Sequence, residues 1–330
     1  MTKKISLITL GGTISSEPAD NNTGGVVPVL GATLFAQEVA RWLPEVEIVP
    51  LEFRLLPSPS LILEDILALH RAIVALPGDI EGVVVAQGTD TLEDTAFVLD
   101  LLGSAARVPV VVTGAMRDAS AAGADGMANL VSAVIVAASA GAHQLGVTVQ
   151  FADTLHPARW VRKRSTFQVD AFSSDPAGPI GYVSEGRLHI TAVPPSRPHL
   201  ADPGDAILPP VAVLGAGIGD ELQLLSELTW QGYGGVIIEG MGGGHVAPGA
   251  MENIRTAAKS VPVVICSRTG AGPVLSDTYG YPGGDIDLAR SGVLSAETLS
   301  ATKARLLLTL LLVSDDGGLG IRETFRRYAR

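Results

Sequence analysis

Two threonines follow segments that have the composition of β-strands and end in glycine. Residues 5–10 lead into Gly11-Gly12-Thr13, and residues 82–86 lead into Gln87-Gly88-Thr89-Asp90. Open parallel sheets bind ligands at the carboxyl ends of their strands, and glycine there lets the backbone approach a ligand closely. A threonine hydroxyl at such a position can act as a nucleophile, but it can equally cap a helix or close a turn.

The capping interpretation has direct support at the second threonine. Thr89 or Asp90 followed by Glu93 and Asp94 is typical of a helix start, because acidic residues in the first turn interact favourably with the helix dipole. The spacing alone therefore leaves both interpretations open.

A threonine nucleophile needs an activating partner, because its hydroxyl is weakly nucleophilic at neutral pH. A lysine of lowered pKa is one such partner, and Lys163 is the candidate. Lys163 lies in the basic cluster of residues 159–165, within a chain of formal net charge −11. The alternative is that this cluster is a solvated face that contacts another subunit.

Short segments rich in valine and isoleucine alternate with longer segments of helical periodicity. The strand-like segments are residues 5–10, 46–51, 82–86, 108–113 and 146–151, followed by 211–214, 235–239 and 261–266. The helical patterns cover residues 61–75, 91–103, 129–141, 220–231, 249–260 and 300–313. This alternation predicts an α/β fold with a parallel sheet.

Proline density divides the chain into two parts. Residues 192–211 contain repeated prolines and lack periodicity, which is typical of a linker, and a length of 330 residues favours two domains. We expect a larger N-terminal catalytic α/β domain with a parallel sheet at residues 1–191. A smaller C-terminal α/β domain is expected at residues 212–330.

The composition excludes several classes of protein. The 47% hydrophobic and 17% charged residues indicate a packed chain. Beyond the short cluster at residues 159–165 the chain has no basic block, which argues against a nucleic-acid partner. The longest apolar stretch, residues 131–142, is shorter than the roughly 20 residues of a membrane span. The glycines at residues 11–12 interrupt any signal-peptide pattern, so we expect a cytoplasmic protein.

Metal and redox chemistry are not expected from this sequence. The six histidines show no pair at metal-ligand spacing, and the single cysteine, Cys266, follows a strand-like run where a buried inert thiol is expected. We therefore expect neither a metal nor another cofactor.

Taken in order, the motifs resemble the bacterial L-asparaginase/glutaminase family of two-threonine amidohydrolases. The resemblance is carried by Gly11-Gly12-Thr13-Ile14, by residues 87–96, by Gly114-Ala115-Met116-Arg117 with Ala124-Asp125-Gly126, and by Asp153-Thr154, Lys163, Phe172, residues 178–181 and residues 303–308. It covers nearly the whole chain. It implies hydrolysis of the side-chain amide of asparagine to aspartate and ammonia through a threonine acyl-enzyme.

The resemblance also implies roles for individual residues. Thr13 matches the usual nucleophile, while Thr89, Asp90 and Lys163 match the group that activates the attack or positions water. Ser58, Gly88 and Asp90 would hold the amino-acid head group of a small amide substrate, and the Ala115 backbone would lie near its amide. The family further implies a homo-oligomer, a dimer of dimers, in which one subunit's first domain and another's second domain form each active site.

Three positions depart from the family pattern, and all three concern substrate handling. A tyrosine is expected near Asn22, Pro59 stands where a glutamine often contacts the substrate amino group, and the glycine-rich loop 240–245 ends in His245 where an asparagine-bearing loop is usual. Asn22 and its flanking glycines still suggest a lid loop. His245 is a candidate contact to a neighbouring subunit's pocket, with a surface histidine as the alternative.

Tyr279 could replace the missing lid tyrosine, and its alternative role is packing within a Gly/Pro-rich loop. These departures keep other functions open. One is an amidase of the same fold that acts on glutamine or a non-standard amide, and another is a catalytically silent homologue that binds a small molecule.

Overall fold

A computed structural model describes residues 2–18, 26–28, 31–314 and 320–329. The chain forms two compact units, Met1–His199 and Leu200–Arg330. Among the described residues, no helix combines the length and the apolar composition needed to cross a lipid bilayer.

The first unit contains strands and helices in the alternating order expected of an α/β fold. Its strands are β1 Lys3–Thr9, β2 Ser16–Pro18, β3 Val26–Pro28, β4 Val46–Glu52, β5 Gly82–Ala86, β6 Val110–Thr113, β7 Val147–Phe151, β8 Thr154–Pro157, β9 Arg162–Lys163, β10 Phe172–Ser173, β11 Gly181–Ser184 and β12 Arg187–Ile190. Its helices are α1 Ala32–Trp42, α2 Leu63–Val74, α3 Leu92–Leu101 and α4 Gly126–Ala137.

Eight of these strands form one sheet in the order β12-β11-β8-β7-β6-β5-β1-β4. The strands β4, β1, β5, β6 and β7 are parallel, while β8, β11 and β12 extend the sheet antiparallel. The uninterrupted apolar run of β5 is fully buried, as expected of a central parallel strand covered on both faces. The predicted α/β fold with a mainly parallel sheet is therefore confirmed.

The antiparallel extension was not predicted, because its strands lack the valine-rich runs that mark the parallel ones. The strand β12 has two apolar residues in four, neither of them fully buried, and β11 mixes buried and exposed residues. Helix α4 packs on the parallel part through buried Leu130, Ala133 and Val134, which join a core with Leu7 and Val84. This core supports the carboxyl edge of the sheet.

The second unit repeats the α/β pattern on a smaller scale. Its strands are β13 Val211–Gly215, β14 Gly235–Gly240, β15 Val263–Ser267 and β16 Leu294–Ser295, and its helices are α5 Leu224–Trp230, α6 Met251–Ala257, α7 Asp285–Arg290, α8 Ala301–Leu311 and α9 Ile321–Ala329. The strands form a parallel sheet in chain order. The thiol of Cys266 on β15 is buried, as the sequence predicted, and donates a hydrogen bond to the Ile238 carbonyl oxygen.

Candidate active site

Four neighbouring parallel strands of the first unit each lead into a candidate residue. Thr13 follows β1, Ser58 follows β4, Thr89 follows β5 and Ala115 follows β6, and these strands are adjacent in the order β6-β5-β1-β4. Because parallel strands share one carboxyl end, the four residues all lie at that end of the sheet. The chain leaves β1 toward β4 on one side and leaves β5 toward β6 on the other, so the boundary between β1 and β5 is the switch point at which such sheets bind ligands.

Two glycine backbones meet at that switch point. Gly12 has a φ of 84°, and a β-carbon there would lie 2.1 Å from the Cα atom of Gly88. A larger residue at Gly12 would therefore push the two loops apart. Thr13 and Thr89 follow these glycines, and each begins a short 3₁₀ helix, Thr13–Ser15 and Thr89–Thr91. The glycine contact thus places the two threonine-bearing loops side by side.

Lys163 reaches this edge from a distant part of the chain. Its Nζ atom donates hydrogen bonds to Thr89 Oγ1 at 2.8 Å and to Asp90 Oδ1 at 2.6 Å. The Lys163 side chain is only 19% exposed, whereas the Asp90 side chain is 60% exposed. Lys163 is therefore more than part of a solvated basic face, because its ammonium group joins a threonine hydroxyl and a carboxylate into one cluster.

Ser58 connects the loop after β4 to the loop after β5. Its buried hydroxyl accepts a hydrogen bond from the Asp90 backbone N–H at 3.3 Å, and its carbonyl oxygen accepts one from the Thr91 hydroxyl at 3.1 Å. Gly88 lies beside it, since a β-carbon there would come within 2.7 Å of Ser58 Oγ. Pro59 is exposed in the 3₁₀ helix Ser58–Ser60 and has no N–H to donate.

The turn around Ala115 is held by two side chains whose positions the sequence did not reveal. The Asp125 carboxylate accepts hydrogen bonds from the N–H groups of Met116 and Arg117, the latter at 2.9 Å. Asn129 is buried and donates from Nδ2 to the Gly114 carbonyl oxygen and to Asp125, both at 3.0 Å. Helix α4 begins at Gly126, three residues before its predicted start, so Asn129 lies in the first turn, where it can reach back to the turn.

The capping interpretation of residues 89–94 is wrong in its detail. Helix α3 begins after Thr91 and has no side-chain hydrogen bond at its N-cap. The Glu93 carboxylate instead accepts a hydrogen bond from the backbone N–H of Lys163. The only signal for Glu93 in the sequence was its place in a helical first turn, which does not identify a partner 70 residues away.

The remaining candidates are distributed as follows. Asn22 lies outside the described residues. His245 and Tyr279 belong to the second unit, where they form a cluster with Tyr281 and Asp285. The ring of His245 contacts Tyr279 edge-on at a centroid distance of 5.0 Å, and its Nδ1 atom lies 3.2 Å from the Tyr281 hydroxyl. The His245 side chain is 15% exposed, so most of it is buried within this cluster.

Asp285 supplies the charge of this second cluster. Its side chain is 1% exposed, and its Oδ1 atom lies 3.6 Å from Nε2 of His245. Burial is the largest single influence on the Asp285 carboxyl and by itself would raise its pKa, but hydrogen bonds from the N–H groups of Thr278 and Tyr279, both at 2.8 Å, oppose it. Together with nearby His245 they hold the pKa below its ordinary value, so the buried group is a carboxylate.

Comparison with known proteins agrees with this architecture. Residues 4–196 match the family described as Asparaginase, N-terminal, and residues 210–325 match the Glutaminase/Asparaginase C-terminal domain. The chain is 35% identical to a probable L-asparaginase of Deinococcus radiodurans over 98% of this chain and 97% of that protein. It is 32% identical to an L-asparaginase of Bacillus licheniformis over 97% and 98% of the two chains.

A solved structure extends the likeness to the fold. The crystal structure of a probable cytoplasmic L-asparaginase from Campylobacter jejuni superimposes with a TM-score of 0.86 at 28% identity, covering 99% of this chain and 100% of that one. The fold and these matches define a hydrolase that acts on linear amides. The chain belongs to the asparaginase/glutaminase family.

Proposed function

We propose that this protein hydrolyses the side-chain amide of asparagine to aspartate and ammonia, with Thr13, Thr89, Asp90 and Lys163 as its catalytic residues. One observation carries the proposal. The Lys163 ammonium group lies within hydrogen-bond distance of the Thr89 hydroxyl and the Asp90 carboxylate, at the strand edge where Thr13 also lies. The L-asparaginases to which the chain is similar support the choice of substrate.

The proposed reaction proceeds in two steps. The Thr13 hydroxyl oxygen attacks the amide carbon, the carbon–nitrogen bond breaks, and ammonia leaves with the proton that the hydroxyl gives up. Water then attacks the resulting ester and releases aspartate. Thr89, Asp90 and Lys163 activate the attack or position the water. Backbone N–H groups at the glycine-rich strand ends stabilise the oxyanion, a contribution of about 3–4 kcal/mol for each donor.

The same edge offers groups for the rest of the substrate. Ser58, Gly88 and the exposed carboxylate of Asp90 are proposed to hold the amino-acid head group, and the Ala115 backbone to lie near the substrate amide. Asp125 and Asn129 support this assignment, because their hydrogen bonds hold the turn that contains Ala115. No cofactor enters the proposed reaction.

Ammonia release from asparagine, glutamine and a panel of small amides tests the proposal. We expect asparagine to be hydrolysed fastest, and Thr13→Ala and Thr89→Val each to lower kcat at least about 100-fold. The exposed Thr191→Ala is the matched control and should retain wild-type activity. A loss below about tenfold in both site variants, equivalent to ~1.4 kcal/mol of barrier, would show that the proposed chemistry is wrong.

The substrate is tested separately from the chemistry. If the two threonine variants lose activity but a different amide is preferred, the assignment of asparagine fails while the catalytic group stands. If no amide is hydrolysed but one binds, the protein is a silent binding homologue.

We further propose a cytoplasmic homo-oligomer, a dimer of dimers, in which His245 and Tyr279 contribute to a neighbouring subunit's pocket. The family resemblance supports the assembly, and the likeness to a probable cytoplasmic L-asparaginase supports the location. Sedimentation equilibrium tests the assembly, since a monomer at working concentration would reject it. Cell fractionation tests the location.

A further inference from the structure

Glu93 and Lys163 are joined by a contact that the proposed reaction does not use. The Glu93 side chain comes from the first turn of α3, and it accepts a hydrogen bond from the backbone N–H of Lys163. Hydrogen bonds to an ionised carboxylate are stronger than those between neutral groups. Glu93 therefore fixes the main chain of the lysine rather than its ammonium group.

Lys163 has little other support from regular structure. It lies on the two-residue strand β9, which pairs with β10 in a small sheet separate from the eight-stranded one. The strand pairing gives it a neighbour in Phe172 but no hydrogen-bonded link to the strands that carry Thr13 and Thr89. The contact with Glu93 supplies a hydrogen-bonded link to the eight-stranded sheet, because α3 follows β5 after the short 3₁₀ helix Thr89–Thr91.

Both ends of the lysine are thus bound to one short segment. Thr89 and Asp90 accept hydrogen bonds from its Nζ atom, and Glu93, three residues after Asp90, accepts one from its backbone N–H. A lysine side chain has a flexible four-carbon stem, so a contact at the ammonium end alone leaves the stem free to change shape. Hydrogen bonds at both the backbone and the ammonium group restrict the conformations of the Lys163 side chain.

We propose that Glu93 is a positioning residue that holds Lys163 Nζ at hydrogen-bond distance from Thr89 Oγ1 by anchoring the lysine backbone. The proposal rests on the proposed function of the Thr89, Asp90 and Lys163 group. A misplacement of about 1 Å at a reacting group can cost about 100-fold in rate, so an anchor of this kind has a measurable effect without touching the substrate.

A purely structural role is the competing explanation. As an acidic residue in a first turn, Glu93 would stabilise α3 through the helix dipole. Glu64 occupies the corresponding first turn of α2 and is exposed, so Glu64→Ala removes the same kind of charge away from the site. It serves as the matched control.

The first experiment compares steady-state kinetics of Glu93→Ala, Glu93→Gln and Glu64→Ala. We expect Glu93→Ala to lower kcat by about 10- to 100-fold with KM within about threefold of wild type. Glu93→Gln keeps an oxygen that accepts the N–H, so it should recover most of the activity. Equal losses for Glu93→Ala and Glu64→Ala, or a loss in KM alone, would overturn the proposal.

A double-mutant cycle with Lys163→Met tests whether Glu93 affects kcat through Lys163. If Glu93 acts through Lys163, Glu93→Ala should lower the residual activity of Lys163→Met by less than about threefold. Additive losses would mean that Glu93 acts elsewhere, and the proposal would fail.

The reactivity of the lysine itself provides a readout that needs no substrate. Trace acetylation with acetic anhydride, quantified for Lys163 by peptide mass spectrometry, should change at least about threefold in Glu93→Ala and stay near wild type in Glu93→Gln and Glu64→Ala. Unchanged labelling in Glu93→Ala contradicts the anchor. A changed labelling rate in a protein that hydrolyses no amide rejects the proposed function but retains the positioning role.

Discussion

The cluster around Lys163 and the cluster around His245 use similar chemical groups in opposite ways. Each contains a carboxylate, a nitrogen base and a hydroxyl. In the first, the carboxylate of Asp90 is 60% exposed and meets the lysine ammonium directly. In the second, the carboxylate of Asp285 is 1% exposed and is held by backbone N–H groups.

We expect this difference to separate the proposed reaction centre from a supporting cluster. An accessible ion pair next to a hydroxyl can exchange protons with a substrate or water. A buried carboxylate whose two oxygens each accept a backbone N–H instead holds its neighbours in place. The His245 cluster accordingly presents the partly exposed rings of Tyr279 and Tyr281 on a fixed base. The two clusters should therefore respond differently to substitution.

The largest expected effect is at the exposed ion pair. Lys163→Met keeps most of the apolar stem but removes the group that contacts Thr89 and Asp90, so kcat should fall by at least about 10³-fold, which corresponds to ~4 kcal/mol of barrier. Ammonia release under saturating substrate measures this loss. Circular dichroism and thermal unfolding confirm that the variant folds.

The exposed Lys259 provides a control in the second unit, because Lys259→Met should retain wild-type kcat. If Lys163→Met retains activity within about tenfold, the proposed difference between the two clusters is wrong, because the Lys163 cluster would then be no more reactive than the His245 cluster.

The two clusters also differ in what the sequence could predict. Strand β5 lies at the predicted residues 82–86, because its buried valines leave a continuous apolar run. The meeting of Lys163 with Thr89 spans 74 residues and depends on how β9 folds back, so spacing could not supply it and only the family resemblance implied it. Glu93 and Asn129 have no such signal, since their partners are backbone groups whose positions exist only in the folded chain.

The His245 cluster was predicted only in part. His245 and Tyr279 stood out because they depart from the family pattern, but Asp285 did not, because a buried acid at a helix start resembles any first-turn acid in sequence. Its hydrogen bonds to the N–H groups of Thr278 and Tyr279 require a tight loop between Ser276 and Asp285. That loop geometry follows from tertiary packing and not from periodicity.

The next largest effect is expected at the buried carboxylate. Asp285→Asn removes the charge and one acceptor, so the free energy of unfolding should fall by about 1–3 kcal/mol at neutral pH. Urea denaturation measures it. Asp277→Asn, an exposed acid in the same loop, should change stability by less than about 0.5 kcal/mol. Equal losses of unfolding free energy in the two variants would show that the burial of Asp285 does not account for its effect on stability.

The contribution of Asp285 to stability should also depend on pH. The folded pKa of Asp285 lies below its ordinary value of 3.8, so the stability it contributes is fully present above that pH and is lost as the pH falls through the folded pKa. The difference in unfolding free energy between wild type and Asp285→Asn should therefore stay constant down to about pH 4 and shrink below it. A difference that already shrinks between about pH 7 and 5 would contradict its assignment to a carboxylate of lowered pKa.

The smallest expected effect is at the partly exposed rim of the same cluster. Tyr281→Phe removes only the hydroxyl that lies 3.2 Å from His245 Nδ1, so unfolding free energy should fall by about 0.5–1 kcal/mol. Tyr279→Phe is the matched control, because Tyr279 contacts His245 in a T-shaped ring pair and should lose less stability. If Tyr281→Phe lowers kcat as strongly as Lys163→Met does, the second cluster takes part in the reaction and is more than a support. A loss confined to stability or KM instead keeps the chemistry with the exposed ion pair, because a supporting cluster acts on substrate handling and not on the attacking groups.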